Sequence, residues 1–287
     1  MIPITTFSEQ STLKQKKLSD FKLLAIDMDG TSLNEKHEFS DRTISVIQKV
    51  HHHGVTVLLA TGRMISAVTK HLNLLETPGL VVSHNGALVK DVHANKIYLH
   101  NKINKNVIAR ILFLYDQSKF ILHFNIDDEV LLERPNNLSS RYAQELGITL
   151  DYIPSYSDIT ENPTSVLLMH TKGTLEKILK DITNECPNMF DYVLMPWTKG
   201  IWMLQFLPLN TSKGMAVLNV ADQLNIQPSE IVSFGDSYND FEMIQHTGFG
   251  IAMGNACQEL KNVADYVTKP NTEDGVAYAL EELMNNE

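Results

Sequence analysis

Two hydrophobic patterns alternate along this chain. Runs at 23–26, 55–60, 80–83 and 231–234, apolar except for Thr56, Ser83 and Ser233, lack the in-out alternation of a half-exposed strand, and they predict parallel strands covered on both faces of a sheet. Between and after them, apolar residues recur at helical spacing, as at Val217, Val220, Ala221 and Leu224, and at Val276, Ala279, Leu280 and Leu283. A further helix is expected from about Ser40, stopped by Gly54. This rhythm predicts an α/β fold built on a Rossmann-like parallel-sheet core. The rhythm changes at residue 88. A hairpin (87–89 with 96–99) is followed by helices carrying Ile108, Ile111, Leu112 and Tyr115, then Leu175, Ile178, Leu179 and Ile182, alternating with strands near 121–126, 130–133, 166–170 and 201–207. The expected organisation is a core of 21–87 and 208–287, a smaller inserted α/β domain of 88–207, and an extension, 1–20, whose sequence assigns it no role.

The first strand ends in two carboxylates one residue apart, Asp27 and Asp29, before Gly30 turns the chain. Ligands of open α/β sheets bind at the carboxyl edge of the strands, and paired acids there suit a hard divalent cation such as Mg2+. The strand at 231–234 repeats the arrangement by running into Gly235-Asp236-Ser237-Tyr238-Asn239-Asp240. If the two strands are neighbours, Asp236 and Asp240 come beside Asp27 and Asp29, a crowding of negative charge that a bound cation relieves. Two groups suited to an anion lie between these motifs. The strand at 55–60 ends in Thr61-Gly62-Arg63 ahead of a helical pattern, which places the Thr61 hydroxyl and the Gly62 N–H at a helix N-terminus. Lys213 follows the good N-cap residues Thr211 and Ser212, so it projects from a first helical turn, where a cation opposes the helix dipole and calls for an anionic partner. Taken singly, each has a plainer reading: a capped turn at Thr61-Gly62, a solvated charge at Lys213.

Together and in this order, the four elements resemble the motifs of the haloacid dehalogenase superfamily of phosphohydrolases. Asp27-Met28-Asp29-Gly30-Thr31 looks like the first motif, Thr61 the second, Lys213 the third and 235–240 the fourth. Ser83-His84-Asn85-Gly86-Ala87, Ser212-Lys213-Gly214, Ile251-Ala252-Met253-Gly254-Asn255-Ala256 and Glu273-Asp274-Gly275-Val276 resemble its Cof-type branch, and the insertion resembles a type 2B cap. The chain departs from the pattern at Ser32, where the branch usually has leucine, and at Gln205, where an acidic residue is frequent. The resemblance implies Mg2+-dependent hydrolysis of small-metabolite phosphomonoesters, sugar phosphates or similar, through an aspartyl-phosphate intermediate. It implies Asp27 as nucleophile and Asp29 as general acid and base, protonated when substrate arrives. It implies Mg2+ held by Asp27, the backbone carbonyl of Asp29 and Asp236, with Asp240 ligating through water or orienting the others. Thr61, Gly62, Lys213, Asn239 and the backbone of Met28 and Asp29 are then expected to grip the transferring oxygens, while Arg63 and Asn85 reach the rest of the substrate. The same covalent intermediate serves phosphotransferases and phosphomutases, which stay open as an alternative, as does a catalytically silent phosphate-binding module.

Composition narrows the setting. With 287 residues, 43% of them hydrophobic, the chain can bury one large core or two smaller ones. No apolar run reaches the roughly 20 residues of a membrane span, and the polar first 20 residues lack the apolar block of a signal peptide, so a cytoplasmic enzyme with no membrane partner is expected. Cys186 and Cys257 read as ordinary thiols of a reducing compartment. A net charge of −10 argues against nucleic acid, so a small phosphorylated metabolite must be drawn by the local charge of the metal, Arg63 and Lys213. His51-His52-His53 invites a metal reading, but consecutive residues point to different helix faces and suit a helix C-terminus. Trp197 and Trp202, with Met195 and Met203, read mainly as packing around a hairpin turned at Lys199-Gly200, and His123 as a structural histidine.

Overall fold

The computed structural model describes residues 13–118 and 120–287. Its strands, in chain order, are β1 (Leu23–Asp27), β2 (Thr56–Ala60), β3 (Leu80–Ser83), β4 (Leu88–Asp91), β5 (Lys96–His100), β6 (Ile121–Ile126), β7 (Glu129–Leu132), β8 (Asp151–Tyr152), β9 (Ser165–His170), β10 (Phe190–Thr198), β11 (Ile201–Pro208), β12 (Ile231–Gly235), β13 (Phe249–Ala252) and β14 (Tyr266–Val267). The helices are α1 (Asp41–His52), α2 (Ser66–Leu75), α3 (Lys105–Ser118), α4 (Asn137–Leu146), α5 (Lys172–Glu185), α6 (Lys213–Gln223), α7 (Phe241–His246), α8 (Gln258–Lys261) and α9 (Gly275–Asn285).

The strands form an eight-stranded sheet in the order β14-β13-β12-β1-β2-β3-β4-β5 and a six-stranded sheet in the order β10-β11-β9-β6-β7-β8. In the larger sheet β1 is central, with β2 and β12 parallel on either side. Its unbroken apolar run is explained by burial on both faces. Leu24 and Ile26 pack with Val46, Ile47, Leu72 and Leu280, whereas Leu23 and Ala25 pack on the other side with Val217, Val220 and Ala221. Ser40 caps α1 by accepting the Thr43 N–H at 3.0 Å, and the helix ends just before Gly54, as the sequence suggests.

Three expectations need correction. The hairpin β4–β5 belongs to the core: β4 pairs antiparallel with β3, so the chain leaves the larger sheet after His100 rather than at residue 88. The reason is local, since the Asn85-Gly86 turn folds β4 back onto β3 before any crossing occurs. The residues before 21 are not wholly separate either. Leu13 and Leu18 are buried in the core cluster, and Asn286 donates to the carbonyls of Leu13 and Lys16; residues 1–12 lie outside the described residues. The third correction is at α2, which starts at Ser66 and not directly after Gly62. Its N-terminus is occupied by Asp128 of the β6–β7 turn, whose carboxylate accepts the Ser66 N–H at 2.8 Å.

The smaller sheet forms the cap. Leu204 and Phe206 of β11 pack with Ile111 of α3 and with Ile178 and Ile182 of α5 on one face, while the intervening Met203 and Gln205 line a cavity shared with the carboxyl edge of the core. The junction with the core is tight at His84-Asn85-Gly86, where φ is positive at all three residues (48, 52 and 111). A side chain at Gly86 would place its Cβ 2.3 Å from the Ser212 carbonyl oxygen, so only glycine fits. Among the described residues no helix is long and apolar enough to cross a membrane.

Candidate active site

Asp27 closes β1 and is buried, and the parallel register that pairs Ile26 with Phe234 carries Asp236 to the same sheet edge. Gly30 lets the two loops touch. Its φ is +79, and a Cβ there would lie 2.4 Å from the Asp236 carboxylate. Thr31 donates its hydroxyl to Asp236 Oδ1 at 3.2 Å. Asp27, Asp236 and Asp240 each present a carboxylate oxygen within 4.8 Å of the others, the one such cluster among the described residues.

Lys213 sits inside this group, 1% exposed, with Nζ 2.5 Å from Asp27 Oδ1 and 2.8 Å from Asp240 Oδ1. Burial pulls its pKa down, but the charges of Asp240 and Asp27 outweigh that and hold the ammonium charged. One lysine cannot neutralise three acids. Burial, with the charges of Asp240 and Asp236, raises the Asp27 pKa well above its ordinary value despite Lys213, and burial with Asp240 pushes Asp236 up to about 6. Such a crowded all-oxygen donor set fits a hard divalent cation. Asp240 is already engaged on both oxygens: Oδ1 faces Lys213, and Oδ2 accepts the N–H groups of Asp236 and Ser237, both at 3.0 Å, contacts that shape the loop presenting Asp236.

The groups expected to hold an anion converge on the same edge. Thr61, Gly62, Asn85, Lys213 and Asn239 all line the cavity, with Asn239 Nδ2 donating to Asn85 Oδ1 at 2.8 Å. Gly62 is not at a helix N-terminus, because α2 begins four residues later; its own constraint is Asn85, whose Nδ2 would lie 2.9 Å from a Cβ at position 62. The Met28 side chain is fully buried in the core, so only its backbone borders the turn, where its carbonyl accepts the N–H groups of Thr31, Ser32 and Leu33.

Asp29 is not part of the cluster of Asp27, Asp236 and Asp240. Its carboxylate is turned away from the acid cluster and is held by Arg63, with His37 Nδ1 3.2 Å from Oδ1. The surrounding protein pushes the Asp29 pKa up, but the hydrogen bonds and charge of Arg63, assisted by His37, outweigh this and hold it below the ordinary carboxylate value. In this arrangement Asp29 is ionised, not protonated. Arg63 is thereby tied to Asp29, although its Nη1 is buried with no hydrogen-bond partner among the described residues.

A sequence model described as haloacid dehalogenase-like hydrolase matches residues 24–280. The chain belongs to that family. YxeH of Bacillus subtilis (strain 168) is 30% identical over 272 residues, covering 92% of this chain and 98% of its own. YcsE of the same organism, a 5-amino-6-(5-phospho-D-ribitylamino)uracil phosphatase, is 27% identical over 280 residues, covering 93% of this chain and 97% of its own. Among solved structures, a haloacid dehalogenase-like hydrolase from B. subtilis superposes with a TM-score of 0.78 at 28% identity, covering 92% of this chain and 100% of that one.

In this haloacid dehalogenase-like hydrolase the catalytic edge opens into a cavity of ≈ 490 Å³ roofed by the cap. Several roof residues escape a reading of the sequence. Arg141, Tyr142 and Glu145 come from α4, and Trp197 lines the cavity although its spacing suggests packing. Val193 and Met195 share a face of β10 by the period of two, but Trp197 sits where the β10–β11 register shifts between Pro196 and Thr198, and Pro196 lines the cavity beside it, so alternation alone does not announce Trp197. Trp202, by contrast, packs against the cap core, and His123 is fully buried with Nε2 2.7 Å from Ser139 Oγ, so neither lines the cavity.

Proposed function

We propose that this hydrolase cleaves small-metabolite phosphomonoesters with Mg2+ and an aspartyl-phosphate intermediate. The observation that carries the reading is the cluster of Asp27, Asp236, Asp240 and Lys213, in which a carboxylate oxygen at a strand end faces both a fixed cation and a metal-ligand set. Asp27 and Asp236, with the Asp29 backbone carbonyl, would hold Mg2+, which when bound offsets the charge between an anionic nucleophile and an anionic ester.

Asp27 attacks phosphorus through one carboxylate oxygen, forming an acyl phosphate as the bond to the leaving oxygen breaks. Lys213 balances the charge spreading over the transferring oxygens, joined by the Thr61 hydroxyl and the Asn239 amide, all of which line the cavity. Asp29, on the same loop, supplies the proton to the departing alkoxide. It then takes one from the water that attacks the acyl phosphate, releasing phosphate and regenerating Asp27. For the first of these steps Asp29 must leave Arg63 and become protonated. The unpartnered Nη1 of Arg63 supports its transfer to a substrate oxygen in exchange.

Phosphate release from a panel of phosphomonoesters tests the reading. Activity is expected with Mg2+, loss with EDTA and poor support by Ca2+, whose longer bonds and higher coordination number disturb a nucleophile that is also a ligand. Undiminished activity in metal-free buffer would overturn it.

A further inference from the structure

The phosphate end of the cavity is built from the motifs; its far end is built from the smaller sheet and α4. Val193, Met195 and Trp197 of β10 and Met203 of β11 line the cavity. None of the four belongs to the apolar clusters that hold the protein together, whereas their strand neighbours Leu194, Trp202 and Leu204 do. Their apolar surface is directed at space above the catalytic edge.

Trp197 is fixed within that wall. Its Nε1 donates to Glu145 Oε2 at 3.0 Å, the Arg141 guanidinium lies 5.4 Å from its ring centroid, and the Tyr142 ring meets it edge-on at 5.8 Å with an interplanar angle of 82°. An indole anchored in this way offers a rigid flat surface that needs no ordering when a ligand arrives. The polar groups nearby are already engaged with one another. Arg141 Nε donates to Glu145 Oε1 at 2.7 Å, so the two charges cancel at the far end. Gln205 accepts from Asn85 Nδ2 at 2.7 Å and donates to Ser165 Oγ at 3.1 Å, and Asn85 also accepts from Asn239. The wall thus offers no uncompensated cation for a second phosphate or a carboxylate, and no row of free donors for a polyol. The Tyr142 hydroxyl, by contrast, makes no hydrogen bond to the described protein, and Tyr142 lines the same cavity as Asp29 and Arg63.

We infer that the physiological ester carries an uncharged, flat aromatic ring system as its leaving group, stacked on the Trp197 wall with a polar ring substituent at Tyr142. This rests on the phosphomonoesterase reading and selects a class within it.

The test compares (2-naphthyl)methyl phosphate with glucose 6-phosphate. Both are esters of primary alcohols, so neither has a chemical head start as a leaving group. The wild-type enzyme is expected to favour the naphthyl ester by about tenfold or more in kcat/KM, and Trp197→Leu to lower that ratio about tenfold, through KM, while Trp202→Phe leaves it unchanged. A wild-type ratio at or below one, or a ratio insensitive to Trp197, overturns the inference and leaves the phosphatase reading standing. Phosphate release from neither ester overturns the reading itself. Calorimetric titration with (2-naphthyl)methylphosphonate and with methylphosphonate then judges the wall alone: tighter binding of the aromatic compound supports it, and equal binding overturns it. Should Trp197→Leu fail to fold, the wild-type ratio and the phosphonate pair decide.

Discussion

Arg63 grips Asp29 with two hydrogen bonds, Nε to Oδ2 at 2.7 Å and Nη2 to Oδ1 at 2.5 Å. The two residues come from the ends of neighbouring parallel strands, β1 and β2, so the contact is a direct product of sheet order. Its consequence is chemical. The proton donor of the proposed mechanism rests as a carboxylate, and substrate must displace a guanidinium before it can act.

Replacing Arg63 by Met removes the hydrogen bonds and charge that hold the Asp29 pKa down, while the surrounding protein that pushes it up remains. Asp29 then stays protonated to higher pH. The alkaline limb of the kcat/KM profile for an alkyl phosphate, which needs protonated Asp29, is expected to move upward. A limb that stays in place in Arg63→Met would separate Arg63 from the acid.

Asp29→Asn keeps the shape but cannot exchange a proton. Alkyl phosphates, whose leaving alkoxide needs one, should lose about 10²–10⁴-fold in turnover. The first step on 4-nitrophenyl phosphate should lose far less, because its phenolate departs unaided; a pre-steady-state burst of nitrophenolate reads that step. Equal losses on both esters would remove Asp29 from the acid role.

The acid cluster sets a pH dependence of stability. Asp27 and Asp236 have folded-state pKa values above the ordinary carboxylate value, so their contribution is fully present below that value and is lost as pH rises through the folded pKa, about 6 for Asp236. Burial lowers the His84 and His123 pKa values to about 4 and about 3, so these histidines act in the opposite sense over the same window, and the cluster is read as a difference: Asp236→Asn should raise the metal-free Tm more at pH 7 than at pH 5, and Mg2+ should raise the wild-type Tm more at pH 7. Asp29 acts in the opposite sense, but only below the ordinary carboxylate range, because its folded pKa is depressed. An Asp236→Asn effect on Tm that is the same at pH 5 and pH 7 would contradict the crowding argument.

Most of the core was legible because its signals are local. The unbroken run ending at Asp27 needs two covered faces, and the motif spacing needs adjacent strands, which β1 and β12 are. What stayed hidden depended on partners far away in sequence. The start of α2 is set by Asp128, 62 residues beyond the Ser66 N–H that it accepts. The charge state of Asp29 is set by Arg63, 34 residues on. The hairpin at 88–100 has a strand pattern that fits either sheet, and only its pairing with β3 decides. Trp197 and Trp202 look alike in sequence, yet they sit on opposite faces of the cap sheet.

Lys213→Met should leave Asp27 and Asp240 buried without their cation. Breaking a buried pair in this way costs about 3–5 kcal/mol, so metal-free Lys213→Met is expected to unfold at clearly lower urea than the wild type. Excess Mg2+ should recover part of the loss, since it supplies charge to the same carboxylates. An unchanged urea midpoint would mean that the lysine is not what balances the cluster.

The central claim is that Asp27 carries the phosphoryl group, and acid-quench trapping reads it directly. Wild-type protein mixed with Mg2+ and a phosphorus-labelled substrate, then quenched within milliseconds, should retain label on the chain in a form stable to acid and cleaved by hydroxylamine, as an acyl phosphate is. Peptide mapping should place it at Asp27, and Asp27→Asn, folded to the same melting temperature or higher, should retain none. Label on another residue, or full turnover by Asp27→Asn, would contradict the account.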